Sequence, residues 1–110
     1  MKVIESDRTA FFDCDDTLIL WKKVDKDLPT VHINDRTFQV HVNHVQKIKD
    51  YHTMGFTVVV WSNSGHKWAE SVVKALGLEN QVDYAMSKPH RVFDDAADLS
   101  KTILCGYLPV

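Results

Sequence analysis

The sequence predicts an α/β domain built on a mainly parallel sheet of about five strands flanked by helices. Three observations predict it. Apolar runs that stop abruptly at polar residues alternate with amphipathic stretches of helical period. The run "FTVVVWS", residues 56 to 62, is the unbroken β-branched pattern of a parallel strand covered on both faces. Each amphipathic stretch ends at a glycine, the usual C-terminal stop of a helix. At 110 residues the chain is read as one domain, 1–110, with a single core and no room for a separate substrate or cap domain.

The elements follow in order. "TAFFD", residues 9 to 13, is a short buried strand that delivers Asp13 at its C-terminal end. "VNHVQKIKDYHTMG" carries Val42, Val45, Ile48 and Tyr51 at intervals of three and stops at Gly55, which predicts a helix. The second strand, 56 to 62, ends in Ser62-Asn63-Ser64, and "HKWAESVVKALG" then puts Trp68, Val72 and Leu76 on one helical stripe before Gly77. Short apolar pieces at Tyr84 to Met86, Arg91 to Phe93 and Thr102 to Tyr107 predict the remaining strands of a Rossmann-like sheet. The stretch from about 20 to 41 departs from this alternation. There Val31 and Ile33 alternate against Phe38 and Val40 around Asn34-Asp35, which reads as a β-hairpin with one apolar face, inserted after the first strand as a flap.

Composition narrows the function classes. A formal net charge of −2 gives no bulk pull toward nucleic acid or anionic membrane. No run approaches the roughly 20 apolar residues of a membrane span, and "MKVIESDRTA" has no apolar signal core, so the expected compartment is the cytoplasm. Cys14 and Cys105 are too few and too far apart for a disulfide framework or a zinc site.

"FFDCDDTL", residues 11 to 18, concentrates three carboxylates in four positions. Two carboxylates about 4 Å apart repel by roughly 4 kcal/mol at an effective dielectric of about 20, so converging them requires a cation, a proton or a reacting group nearby. In open parallel sheets ligands bind beyond the carboxyl ends of the strands. The groups gathered there would be Asp13, Asp15 and Thr17 from the first strand, Ser62 and Asn63 from the second, Lys88 from "AMSKP", and Asp94 and Asp95 from "VFDD".

This set resembles the haloacid dehalogenase-like hydrolase superfamily, in its small cap-less phosphatase type. The first motif of that superfamily, an apolar strand followed by Asp-x-Asp-x-Thr, stands here as "FFDCDDT". The second matches "VVVWS", the third Lys88 and the fourth "VFDD", in the right order along nearly the whole chain. The resemblance implies a Mg²⁺-dependent phosphatase acting on phosphomonoesters. Asp13 would be the nucleophile that forms an aspartyl-phosphate, and Asp15 the general acid and base. Ser62, the backbone N–H of Asn63 and Lys88 would bind the phosphate, Lys88 also tying Asp13 to the transferred group. Asp13, the backbone carbonyl of Asp15 and one acid of the Asp94-Asp95 pair would hold Mg²⁺, with Asp95 favoured as the direct ligand and Asp94 as an outer partner. A cap-less site is open to solvent, which suits phosphate on a nucleic-acid end, on a phosphoprotein or on a small phosphoester. The sequence does not fix the substrate or the oligomeric state.

The remaining chemistry-bearing residues have plainer readings. Asp16 and Thr17 serve the loop, and Cys14 alternates inward and packs. His41 and His44, with no acid or thiol partner at ligand spacing, are read as solvent-exposed helix positions. Trp61 and Trp68 are read as core or helix-face residues, Trp21 as a candidate for the border of the substrate entrance, and Lys22, Lys23 and Lys26 as a solvated surface. Two other function classes remain open: a receiver-like phospho-acceptor, which shares the acids, the hydroxyl and the Lys but places the acidic pair first and the Lys last, and a catalytically inactive domain that binds metal or a partner.

Overall fold

The computed structural model describes residues 1–110. Two small sheets and two helices make up the ordered framework: β1 (Thr9–Asp13), β2 (Ile19–Leu20), β3 (Thr30–Ile33), β4 (Arg36–Val40), α1 (Val42–Thr53), β5 (Thr57–Ser62), α2 (His66–Ala75) and β6 (Tyr84–Ser87). No helix is long and apolar enough to cross a membrane.

The principal sheet has the order β1-β5-β6 and is entirely parallel. Parallel neighbours need a crossover, and α1 and α2 supply the helical part of the two that occur here. Register sets the site: Asp13 lies opposite Trp61, and Ser62 lies opposite Ser87, so all three strands end at one level. Both helices stop where the glycines require, with Gly55 at φ 85° and Gly77 at φ 67°, a region that residues bearing a Cβ enter reluctantly.

One hydrophobic core joins both sheets and both helices. Phe12, Val58 and Val60 from the sheet meet Ile48 of α1, Ala69, Val72 and Val73 of α2, and Ile33 and Phe38 of the hairpin. Alternation along the strands sends Phe11, Trp61, Tyr84 and Met86 to the opposite face, where Phe11, Tyr84 and Met86 are exposed and Phe11 packs on Trp61 at 4.6 Å. On that face Val59 is buried between Phe11 and Tyr84 while those two stay exposed, so the double cover expected from "FTVVVWS" is partial there.

The flap region forms as expected, around Asn34 at φ 54°, a left-handed conformation that Asn tolerates. Val31 pairs with Phe38 and Ile33 with Arg36. It is larger than a hairpin, because Ile19 and Leu20 pair with β4 and complete an antiparallel sheet of order β2-β4-β3. Gln39, buried on β4, accepts the N–H groups of Val24 and Asp25 at 2.8 and 3.3 Å and donates to the carbonyl of Asp25, which anchors the loop beyond Trp21. No cap domain is present.

The C-terminal third corrects the expectation of about five strands. The parallel sheet has three. Tyr84 begins a strand as predicted, but Arg91–Phe93 and Thr102–Tyr107 are not strands. Only Lys88, Pro89 and His90 separate β6 from Arg91, whereas a parallel neighbour needs a crossover of about a dozen residues or more. The side chain of Phe93 is accordingly 98% exposed. In the last segment the N–H groups of Thr102 and Ile103 turn back to the carbonyl of Leu99 at 3.0 and 2.8 Å, which ends any extended run there.

Candidate active site

β1 ends in a tight loop that presents its acids in a fixed order. The carbonyl of Cys14 accepts the N–H groups of Thr17, Leu18 and Ile19 at 3.1, 2.9 and 3.2 Å, and Asp16 adopts φ 60° to close the turn. Asp16 then uses its carboxylate to bind the N–H of Trp21 at 3.1 Å, the structural role expected of it. Thr17 donates its hydroxyl to Oδ2 of Asp13 at 3.1 Å, so the loop stabiliser acts directly on the first acid. Lys88 Nζ lies 3.1 Å from Oδ1 of Asp13. It arrives there because its own N–H continues the strand, bonding the carbonyl of Ser62 at 3.0 Å. Asp13 keeps 34% of its side chain accessible, enough to meet a ligand from solvent.

Ser62 is buried at the end of β5, and its hydroxyl accepts the N–H of Ser64 at 3.0 Å while retaining its own proton to donate. Asn63 follows it, exposed, in the turn that leads to α2. Across that turn the hydroxyl of Ser87 accepts the N–H of His66 at 2.9 Å. Asp13, Asp15, Ser62, Asn63 and Lys88 thus all stand at the carboxyl ends of the three strands or in the turns just beyond them.

Asp94 and Asp95 do not join them through a strand. Both are exposed on coil, and Asp94 bonds only the N–H of Ala96, at 2.8 Å. No strand at Arg91–Phe93 carries the pair to the sheet edge. No group of three or more His, Cys, Asp or Glu side chains that could hold a metal ion converges anywhere on the chain. The two oxygens of Asp13 already carry Lys88 and Thr17. The four carboxylates singled out in the sequence are therefore not gathered into one group in this arrangement.

Cys14 is fully buried, as expected from its alternation. Burial, with the Asp13 and Asp15 carboxylates beside it, pushes its thiol up to about 12. A thiolate is the nucleophilic form of cysteine, so this buried thiol is not a nucleophile at neutral pH.

His41 and His44 are the clearest correction to the sequence reading. Both are buried, with their rings stacked at 3.6 Å and 4°. Their partners fix the tautomers. His41 accepts the N–H of His44 at Nδ1, at 3.2 Å, and so donates from Nε2 to the carbonyl of Leu108 at 2.9 Å. His44 donates from Nδ1 to the carbonyl of Thr17 at 2.7 Å and accepts the N–H of Leu108 at Nε2, at 2.8 Å. Tyr107 stands edge-on to both rings and donates its hydroxyl to the carbonyl of Asp16 at 2.8 Å. The C-terminal segment is thereby fastened to the acidic loop.

Burial lowers the pKa of His44 below the ordinary histidine value, with the neighbouring His41 acting in the same direction against the Thr17 hydrogen bond. The unfolded chain then binds the proton more readily than the folded one, so stability rises with pH between the two values. The contribution is complete above about 6.5, the unfolded value, and is lost as pH falls through the lower folded value. Urea midpoints should fall between pH 7.5 and 5.5, and His44→Asn, which cannot be protonated, should flatten that slope. Equal slopes in the two proteins would refute the assignment.

Trp21 and Trp68 both donate an indole N–H to Asp15. With Ile33, Arg36 and Phe38 the same two rings line a cavity of about 460 Å³. Trp21 reaches the acidic loop that precedes it, through its bond to Asp15. The bond of Trp68 to Asp15 was missed, because a helix-face stripe accounts for its ring without using its N–H; its place in the first turn of the helix after the strand that ends in Ser62 was the available signal.

A family model described as NLI interacting factor-like phosphatase matches residues 8–105, which includes every site residue above. No curated protein and no solved structure matches the chain significantly.

Proposed function

The chain belongs to the NLI interacting factor-like phosphatase family, a haloacid dehalogenase-like phosphatase family, and from that premise we propose that it hydrolyses phosphomonoesters through an aspartyl-phosphate on Asp13. The observation that carries this reading is the contact of Lys88 Nζ with Asp13 Oδ1 at 3.1 Å, made by two residues that separate strands deliver. A cation there holds the carboxylate at the point where a highly charged transition state would form, and offsets charge that would otherwise keep two anions apart.

Each remaining group has a task that its position supports. Asp13 attacks phosphorus while Thr17 holds its second oxygen. Asp15 gives a proton to the leaving oxygen, then takes one from the water that clears the intermediate. Ser62 and the N–H of Asn63 hold phosphate oxygens at the start of the turn into α2. The absence of a cap leaves the entrance open, consistent with phosphate on a nucleic-acid end, a phosphoprotein or a small phosphoester.

Mg²⁺ belongs to the same reading: Asp13 and the backbone carbonyl of Asp15 would hold it, and it would supply positive charge against the phosphate and against the repulsion between the two acids. Asp94 and Asp95 lie on exposed coil, so the steps assigned here run on the groups that the strand ends bring together.

The test is phosphate release from an aryl phosphate, from 3′- and 5′-phosphorylated oligonucleotides and from phosphopeptides, with Mg²⁺ and after chelation by EDTA. Release from at least one substrate, lost on chelation and restored by Mg²⁺, is expected. Silence on every substrate with Mg²⁺ present would sink the phosphatase reading, and activity insensitive to EDTA would remove the metal from it.

A further inference from the structure

A carboxylate that shuttles a proton must present the correct oxygen to the correct place. Rotation about the bond to an aspartate carboxylate is soft, so its orientation has to come from outside the residue. Asp15 is oriented unusually firmly. Its Oδ1 accepts two indole N–H groups, from Trp21 at 3.1 Å and from Trp68 at 2.9 Å. No hydrogen bond from the chain reaches its Oδ2.

The two donors come from different parts of the fold. Trp21 follows β2 at the base of the antiparallel sheet, and Trp68 sits in the first turn of α2. Each indole is itself braced. Phe38, buried on β4, meets Trp21 edge-on at 4.9 Å and Trp68 at 6.0 Å, and the Arg36 guanidinium lies 4.6 Å from the centre of the Trp21 ring. An indole N–H donates and cannot accept, so neither ring competes for the proton. Packing alone would place these rings without turning both N–H groups onto a single oxygen.

Resting on the reading of Asp15 as acid and base, we propose that Trp21 and Trp68 are positioning residues that hold its Oδ1 and so dedicate Oδ2 to proton transfer. In the first half-reaction a carboxylate oxygen of Asp13 bonds to phosphorus as the ester P–O bond breaks, and the proton on Oδ2 of Asp15 passes to the leaving oxygen. In the second, a water oxygen bonds to phosphorus, its proton passes to Oδ2, and the bond from phosphorus to Asp13 breaks to release inorganic phosphate.

The test exploits the leaving group. A 4-nitrophenolate departs without a proton, whereas an alkoxide does not, so loss of acid alignment penalises alkyl esters selectively. The measurements are kcat/KM for 4-nitrophenyl phosphate and for an alkyl phosphate in the wild type, Trp21→Phe, Trp68→Phe and Asp15→Asn. Phenylalanine keeps a ring in place and removes only the donor, and the two single variants provide independent chances of a folded protein. Each Phe variant should lower kcat/KM for the alkyl ester about tenfold, the size of one hydrogen bond to a charged group, and change the nitrophenyl value less than about twofold. Equal losses on both esters, or no loss on either, in a variant with a native melting temperature would overturn the proposal. If Asp15→Asn itself fails to discriminate between the esters, the acid assignment falls and the proposal with it. Discrimination by Asp15→Asn but by neither Phe variant overturns the positioning role alone.

Discussion

Asp13→Asn should abolish phosphate release, by about four orders of magnitude or more, while leaving the fold unchanged. The amide is close in shape to the carboxylate but lacks the negative oxygen that attacks phosphorus. Its carbonyl oxygen can still accept the hydroxyl of Thr17, which bonds the native side chain at 3.1 Å. The loop around it is held by the carbonyl of Cys14, which the substitution does not touch. Lys88 loses its ion pair, and since both partners are partly open to solvent the stability cost is small. Melting temperature should therefore shift little. The assay is steady-state phosphate release beside a thermal melt, and undiminished release by a folded variant would refute the nucleophile assignment.

Asp15→Asn should slow steady turnover by about two to four orders of magnitude, the range of general acid–base catalysis. It should also trap the intermediate. With a good leaving group the first half-reaction needs no proton, but the attacking water then has no base to accept its own. A phosphoryl group should accumulate on the protein and be visible in the intact mass after rapid acid quenching. The amide oxygen introduced by the substitution is still available to the indoles of Trp21 and Trp68, which bond the native carboxylate, so the site should keep its shape. Normal turnover by this variant would remove Asp15 from the mechanism.

The parts of this molecule that were legible in its sequence are those written in local pattern. β1 and β5 announce themselves by apolar runs that end at polar residues, and α1 and α2 by stripes closed with Gly55 and Gly77. The hairpin follows from strict alternation around Asn34-Asp35. Lys88 was legible by its order among the motifs, and the structure brings it to Asp13.

The C-terminal third was less legible because its apolar pieces are short. Three residues such as Arg91–Phe93 satisfy the strand pattern and the pattern of extended coil equally well, and only the missing crossover decides between them. Long-range polar partners leave no local trace at all. His41 and His44 bond Leu108, 67 and 64 residues away, and the Trp68 N–H finds Asp15 at a separation of 53. Residue type leaves an isolated histidine undecided between surface and interior, so burial of the pair becomes visible only when the main chain that satisfies them is in view.

The fastening of Leu108 has a bearing on how the molecule opens. The carbonyls of Asp16 and Thr17 draw their donors from Tyr107 and from His44, whose other nitrogen grips Leu108, while Asn43 secures Pro109. Fraying of the final residues is thereby transmitted through one imidazole to the segment that carries the acids. Residues near opposite ends of the polypeptide should lose amide protection together, as one cooperative unit, although 91 positions separate Asp16 from Tyr107.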